Sequence, residues 1–340
     1  MTRPERVEVL DYHTGGEPFR IVPGPPIPLP GTGVADRRAR AMVPGSDADL
    51  LRRFLCHEPR GHTDMYGGLI TEPDDAGAHF GVLFFHKDGF STACGHGTIA
   101  LGRWAVDAGL VQAPHDGEVD VVIDVPSGRV TARVQRAAGR TVAVGFVSVP
   151  SHLVAEGVPV RTALGDVVVD IGFGGTFYAH LDLAQVGLTV EPRRIGELRA
   201  LGREITRTLY ASDHVAHEDE RLSFMYGTVL YEDLGPTPDG GRHQRNVVIF
   251  ADGQVDRSPC GSGTASRVAV LDAQGALAPD AQLQHDSIVG SRFVASVVDR
   301  VAGPGRPAVV PLVTGMAHPT GTQTFVRDEG DELADGFLLG

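Results

Sequence analysis

One five-residue motif occurs twice in this chain. Cys94-Gly-His-Gly-Thr98 and Cys260-Gly-Ser-Gly-Thr264 both read Cys-Gly-x-Gly-Thr, and 166 residues separate the two cysteines in a chain of 340. Each motif runs into an apolar stretch of helical period, then Asp-Ala and a glycine, Gly109 or Gly275. A repeat at half-length spacing predicts two similar halves, each presenting a cysteine where a helix begins. At about 150 residues per domain the length also suits two domains. The expected halves are residues 1–165, carrying Cys94, and 166–315, carrying Cys260. A C-terminal segment of about 316–340 is expected to return to the first half.

The stretches between are mostly strand-like. Residues 119–125, 130–135, 141–149, 167–171, 224–231, 246–250 and 293–298 are short β-branched runs bounded by Gly, Pro or Ser turns. Helical patterning is confined to about 48–55, 97–108, 190–210 and 263–273. With 44 Gly and 23 Pro, a turn-rich sheet protein fits better than a helix bundle. Residues 23–30, with five prolines, read as an extended surface segment, and 233–245 as a polar Gly/Pro loop.

Composition removes several function classes. Thirty basic against 43 acidic residues give a net charge of −13, which repels phosphate backbones and anionic lipid. Arg193, Arg194, Arg199 and Arg203 are spaced as the wet face of a helix, so neither nucleic acid nor membrane is an expected partner. The one lysine, Lys87, sits in the polar turn His86-Lys-Asp88, a poor place for a Schiff base, and no Walker loop occurs. The longest apolar run, Phe80 to Phe85, is too short to span a bilayer. The first residues show no apolar signal segment, so the expectation is cytoplasmic.

A cysteine at a helix start has a distinct chemistry. Unpaired backbone N–H groups and the positive end of the helix dipole lower a thiol's pKa and bind anions such as a carboxylate. Gly95, Gly97, Gly261 and Gly263 leave the backbone open to close approach. If the halves face each other, Cys94 and Cys260 flank one cleft. One thiolate can then take the Cα proton of an amino acid while the opposite thiol delivers a proton to the other face. No metal or cofactor is required. His96, two residues past Cys94, is placed to assist proton movement. Asp256, four residues before Cys260, is placed to hold an ammonium group. His13, Glu17, His62, Asp64 and Tyr66 lie in Gly-rich loops that spacing alone does not bring to the cleft. Cys56, in Arg53-Phe-Leu-Cys56, reads as core packing. The non-enzymatic alternatives are a thiol switch or a metal site built from Cys94, His96 and Cys260, which lacks a tight ligand framework.

At these residues the chain resembles the proline racemase family, which includes hydroxyproline 2-epimerases and trans-3-hydroxy-L-proline dehydratases. The resemblance rests on Asp11-Tyr-His-Thr-Gly-Gly-Glu-Pro18, Glu58-Pro-Arg-Gly-His62, Met65-Tyr-Gly67, Cys94-Gly-His-Gly97, Gly174-Gly-Thr-Phe-Tyr-Ala179 and Asp256-Arg-Ser-Pro-Cys-Gly261. It implies an α/β fold like that of diaminopimelate epimerase: two similar domains, each a curled, mainly antiparallel sheet around a central helix, with the active site in the cleft between them. It implies no cofactor and a proline or hydroxyproline substrate, and a homodimer is compatible with it. The family's paired bases fall on Cys94 and Cys260, and its substrate contacts on Gly95, His96, Asp256, Gly261 and Ser262. Related dehydratases usually replace the second cysteine with Thr, so Cys260 favours inversion at Cα. The sequences around residues 91–103 and 261–263 look more like the dehydratase branch. Ala93 and Thr176 stand where the family often has Met and Asn, so ring contacts are expected to differ. The reading favoured is a racemase or epimerase, with dehydration the alternative.

Overall fold

A computed structural model of the chain describes residues 4–210 and 212–339. The chain divides into two compact units, one running to Val144 and resuming at Met316, the other Gly145–Gly315. This break precedes the expected 165/166. A division there would cut into strand Gly165–Phe173 just past the turn of its antiparallel hairpin with His152–Thr162, which pairs from Thr162↔Gly165 onward.

The first unit is a mixed sheet. Strand Arg6–Thr14 pairs antiparallel with Ala317–Val326 on one side and Glu17–Val22 on the other. Glu17–Val22 runs parallel to Tyr66–Thr71, which is antiparallel to Phe80–His86. Phe80–His86 runs parallel to Gly117–Val125, itself antiparallel to Gly128–Ala137. The second unit repeats this order of senses. Gly165–Phe173 pairs antiparallel with His152–Thr162 and Phe177–Asp182. Then follow Met225–Pro236 (parallel), Arg242–Phe250 (antiparallel), Leu283–Ser287 (parallel) and Arg292–Ala302 (antiparallel).

Parallel neighbours need a long crossover, usually helical. In the first unit the crossover from Phe80–His86 to Gly117–Val125 carries helix Gly95–Asp107; in the second, that from Arg242–Phe250 to Leu283–Ser287 carries Gly261–Ala273. The two Cys-Gly-x-Gly-Thr motifs therefore open topologically equivalent helices. The remaining crossovers carry Val34–Ala41 with Asp47–Cys56, and Ile195–Leu209.

Each motif helix is the centre of its unit. The Cys94 helix packs on strands from both ends of the pairing order, Ala317–Val326 and Gly128–Ala137 included, so the sheet curls around it. The Cys260 helix is likewise packed by His152–Thr162 and by Arg292–Ala302. All of Gly95–Asp107 except Arg103 and Asp107 is buried, as a helix without a wet face must be. Both end on a glycine in the left-handed region, Gly109 at φ +71° and Gly275 at φ +66°.

Several sequence expectations need adjustment. The stretch 233–245 is largely strand rather than loop. Met225–Pro236 and Arg242–Phe250 stay paired to Pro236↔Arg242, because a solvated ladder needs no apolar alternation. Helix Val34–Ala41 was not expected from its Arg-rich sequence, although Val34, Arg38 and Ala41 are buried. Helix Ile195–Leu209 is preceded by a 3₁₀ turn at Pro192–Arg194, and residues 23–30 have no regular structure, with Ile27 buried and Leu29 packed against the core. Among the described residues no helix is long and apolar enough to cross a membrane.

Candidate active site

Cys94 and Cys260 are the N-caps of their helices, and each sulfur accepts a hydrogen bond from the backbone N–H three residues on. The distances are 3.2 Å from Gly97 N to Cys94 Sγ and 3.3 Å from Gly263 N to Cys260 Sγ. The sulfur thus takes the place that a Ser or Asp oxygen usually fills at a cap. Both cysteines are nearly buried, at 4% and 5% exposure.

At the Cys94 end, the His96 ring lies beside the thiol, with its nitrogens 3.5 and 3.7 Å from Sγ. The first turn of this helix is tied down by Thr14, whose hydroxyl donates to the His96 carbonyl at 2.9 Å. Phe19 and Tyr66 meet the His96 ring edge-on, with centroids 5.8 and 5.0 Å away, and the Tyr66 hydroxyl is bonded to Ser91. Gly97 is required sterically: a Cβ there would sit 2.8 Å from Cys94 Sγ and collide with the Phe19 ring. Tyr66 is therefore brought to this end. His62 and Asp64 instead bond within their own turn, where the Asp64 N–H donates to His62 Nδ1 at 3.2 Å. His13 stacks on His318 at 5.3 Å, and Glu17 is fully buried opposite Thr14.

At the Cys260 end, Asp256, Gly261 and Ser262 lie together. Asp256 Oδ1 accepts from the Ser258 N–H (2.8 Å) and hydroxyl (2.7 Å), and Ser258 Oγ accepts from the Cys260 N–H at 3.0 Å. The carboxylate therefore braces the turn entering the helix as well as facing it. Tyr178 donates or accepts across 2.8 Å with Ser262 Oγ and lies 3.7 Å from Cys260 Sγ. Cys260 itself has φ +63° and ψ 113°, a sparsely populated conformation for a residue with a Cβ. Strain of this kind costs on the order of 1–3 kcal/mol and persists only where the surroundings enforce it. Cys94 is ordinary extended backbone, with φ −157°.

Electrostatics at Cys260 run against the simple helix-dipole expectation. Burial, followed by the nearby Asp256 carboxylate, raises its thiol pKa well above the usual value, while the Gly263 N–H opposes both. The magnitudes explain the outcome. A helix terminus supplies at most about 2 kcal/mol, whereas complete burial shifts a pKa by up to about 3–5 units, or roughly 4–7 kcal/mol. Burial likewise lifts Asp256 to about 6, and Tyr178 well above its usual value. Burial therefore favours the neutral thiol at Cys260. Cys56 is a different kind of cysteine. It is fully buried in the first unit's apolar core, donates to the Met65 carbonyl at 3.2 Å, and has its pKa pushed up to about 12 by burial.

Sequence reasoning missed Thr14, Phe19 and Ser91 at one end and Tyr178 and Ser258 at the other. Tyr178 lay within the Gly174–Ala179 motif, and Ser258 within Asp256-Arg-Ser-Pro-Cys260, so a signal existed for both.

The profile of the proline racemase family matches residues 9–338. The chain belongs to the proline racemase family. It is 39% identical over 332 residues to a trans-3-hydroxy-L-proline dehydratase of Bacillus cereus, covering 97% of each protein. It is 42% identical over 335 residues to a 3-hydroxyproline 2-epimerase of Burkholderia multivorans, covering 98% of each. Among solved structures it resembles a hydroxyproline epimerase from Agrobacterium vitis with bound trans-4-hydroxy-L-proline. The TM-score is 0.88 at 28% identity, over 100% of this chain and 97% of that one. Family members at this level of similarity thus include isomerases and a hydro-lyase, both of which act on hydroxylated proline rings according to their names.

Proposed function

We propose that this protein inverts Cα of a hydroxyproline, with Cys94 and Cys260 serving one substrate as alternating base and acid. The observation that supports it is the matched pair of capping thiols. Both sulfurs are held by an N–H of their own helix, at 3.2 and 3.3 Å, and both halves keep the cysteine. Inversion needs a proton removed from one face of Cα and another delivered to the opposite face, so it needs two such groups. One thiolate takes the Cα proton; the other thiol gives up its own; the two sulfurs exchange protonation states at each turnover. The N–H groups at Gly95 and Gly261, with the Ser262 hydroxyl, are suited to a carboxylate and to the charge that builds on it as Cα loses its proton. Asp256 is suited to the ring ammonium, whose positive charge would offset the burial that lifts the carboxyl's pKa. His96 steers the Cys94 proton. Proline is a poorer candidate than a hydroxylated ring, given the relatives' names.

The second reading is dehydration of trans-3-hydroxy-L-proline, supported by relatives such as that of Bacillus cereus. It starts with the same proton abstraction, then expels the Cβ hydroxyl, and requires one thiolate rather than two. Incubation in D₂O with L-proline, trans-4-hydroxy-L-proline and trans-3-hydroxy-L-proline, followed by NMR, separates the readings. Inversion with deuterium at Cα supports the first; water loss with no inverted product supports the second. The absence of both Cα exchange and water loss with all three substrates overturns both.

A further inference from the structure

We propose that His285 is a positioning residue for Cys260, acting through Thr264 on the Pro259 carbonyl; this rests on the reading that Cys260 is an acid/base group. Thr264 Oγ1 donates to the Pro259 carbonyl at 3.0 Å and lies 2.8 Å from His285 Nδ1. A hydroxyl has one proton. Since it goes to the carbonyl, Oγ1 must accept from the imidazole, which fixes His285 as the Nδ1–H tautomer. His285 is fully buried, and its Nε2 has no hydrogen-bond partner among the described residues. Burial, with Arg267 next in weight, lowers its pKa to about 3, so the ring stays neutral and the direction of the chain does not change with ordinary pH.

The chain ends on the peptide preceding Cys260, the residue at φ +63°. The other half makes a different contact at the matching threonine. Thr98, likewise four residues past its cysteine, donates to the Cys94 carbonyl itself at 2.8 Å, an ordinary helical contact, and Cys94 is unstrained. Thr264 has been turned one residue further back, to a carbonyl outside the helix, and the imidazole holds it there. With Ser258 Oγ accepting the Cys260 N–H, the peptide is gripped at both its carbonyl and its N–H. This grip opposes the strain at Cys260, whose relief would let the cysteine relax and its sulfur move.

Three variants test the assignment: His285→Asn, whose side-chain N–H can replace Nδ1–H; His285→Gln, whose N–H lies where Nε2 was; and His285→Leu. Two readouts are taken on the full-length protein. Backbone hydrogen exchange of the peptide over residues 256–264 should rise at least tenfold in the Gln and Leu variants and stay within threefold of the parent in the Asn variant. The peptide around Cys94 should be unchanged in all three. For inversion, kcat should fall at least tenfold in the Gln and Leu variants with KM within about twofold, and recover in the Asn variant. Equal exchange in all three variants, or loosening that extends equally to the Cys94 peptide, overturns the proposal. If exchange responds as expected but inversion does not, the grip stands and the acid/base reading of Cys260 fails. If Cys260→Ser is inactive in inversion while every His285 variant matches the parent, the reading stands and the grip fails.

Discussion

The phenol oxygen of Tyr178 stands 3.7 Å from the Cys260 sulfur and 2.8 Å from the Ser262 hydroxyl, with all three side chains buried. One strand of the second unit thus reaches the cap of its central helix directly. Tyr178→Phe keeps the packing and removes only the oxygen. The expected loss of stability is about 1 kcal/mol, the net value of one hydrogen bond, read as a small drop in Tm. The expected loss in kcat is larger, tenfold or more, because the phenol oxygen lies within reach of that sulfur. Unchanged kcat would remove Tyr178 from the machinery.

Cys260→Ser exchanges a thiol for an alcohol that is far harder to ionise. If the two-thiol reading holds, inversion should fall by about 10²–10⁴-fold, the usual weight of one general acid/base group. Water loss from trans-3-hydroxy-L-proline, if the protein catalyses it through Cys94, should survive. Full inversion activity in this variant, measured by polarimetry or chiral chromatography, sinks the mechanism.

Gly97→Ala and Gly109→Ala form a matched pair on one helix. The first inserts a methyl 2.8 Å from Cys94 Sγ and into the Phe19 ring. It should cost about 1–3 kcal/mol and displace the sulfur, with activity falling at least tenfold. The second meets no atom within 4 Å but forces a Cβ into φ +71°. It should cost about 1 kcal/mol and leave kcat intact. Thermal denaturation with steady-state kinetics tells these patterns apart.

Burial raises the Asp256 pKa to about 6, above its unfolded value of about 4. Between those values the folded protein holds a proton that the unfolded chain has released, so stability falls as pH rises through this window. Asp256→Asn has no such proton and keeps an oxygen that can accept from Ser258. The Tm of the variant relative to the parent should therefore climb from pH 4 to pH 7 without substrate. A flat difference across this range would show that Asp256 is already ionised in the fold.

The central helices were legible in the sequence because their signals are local: a cap, a 3.6-residue period and a terminal glycine within a score of residues. The matching order of strands in the two units was not, since parallel pairs such as Phe177–Asp182 with Met225–Pro236 join segments far apart in the chain. The same distance hid Tyr178 from Cys260 and Thr14 from His96. Charge-rich stretches misled in a different way. Arg38 in Val34–Ala41 looks like solvent-facing chain, yet it is buried and donates to the Phe90 carbonyl at 2.7 Å. For the thiols, the sequence showed the helix end and its sign but not the burial, and burial is the larger effect at Cys260.

Strand Ala317–Val326 lies along Arg6–Thr14, so the unit built around Cys94 takes a staple from more than 300 residues downstream. The unit Gly145–Gly315 is continuous in sequence. During synthesis, the later half can therefore finish its sheet while the earlier half still waits, with one flank of Arg6–Thr14 bare until residues 317–326 emerge. The order of birth and the order of completion are reversed, and an edge left open for that long is where a chaperone would be most useful.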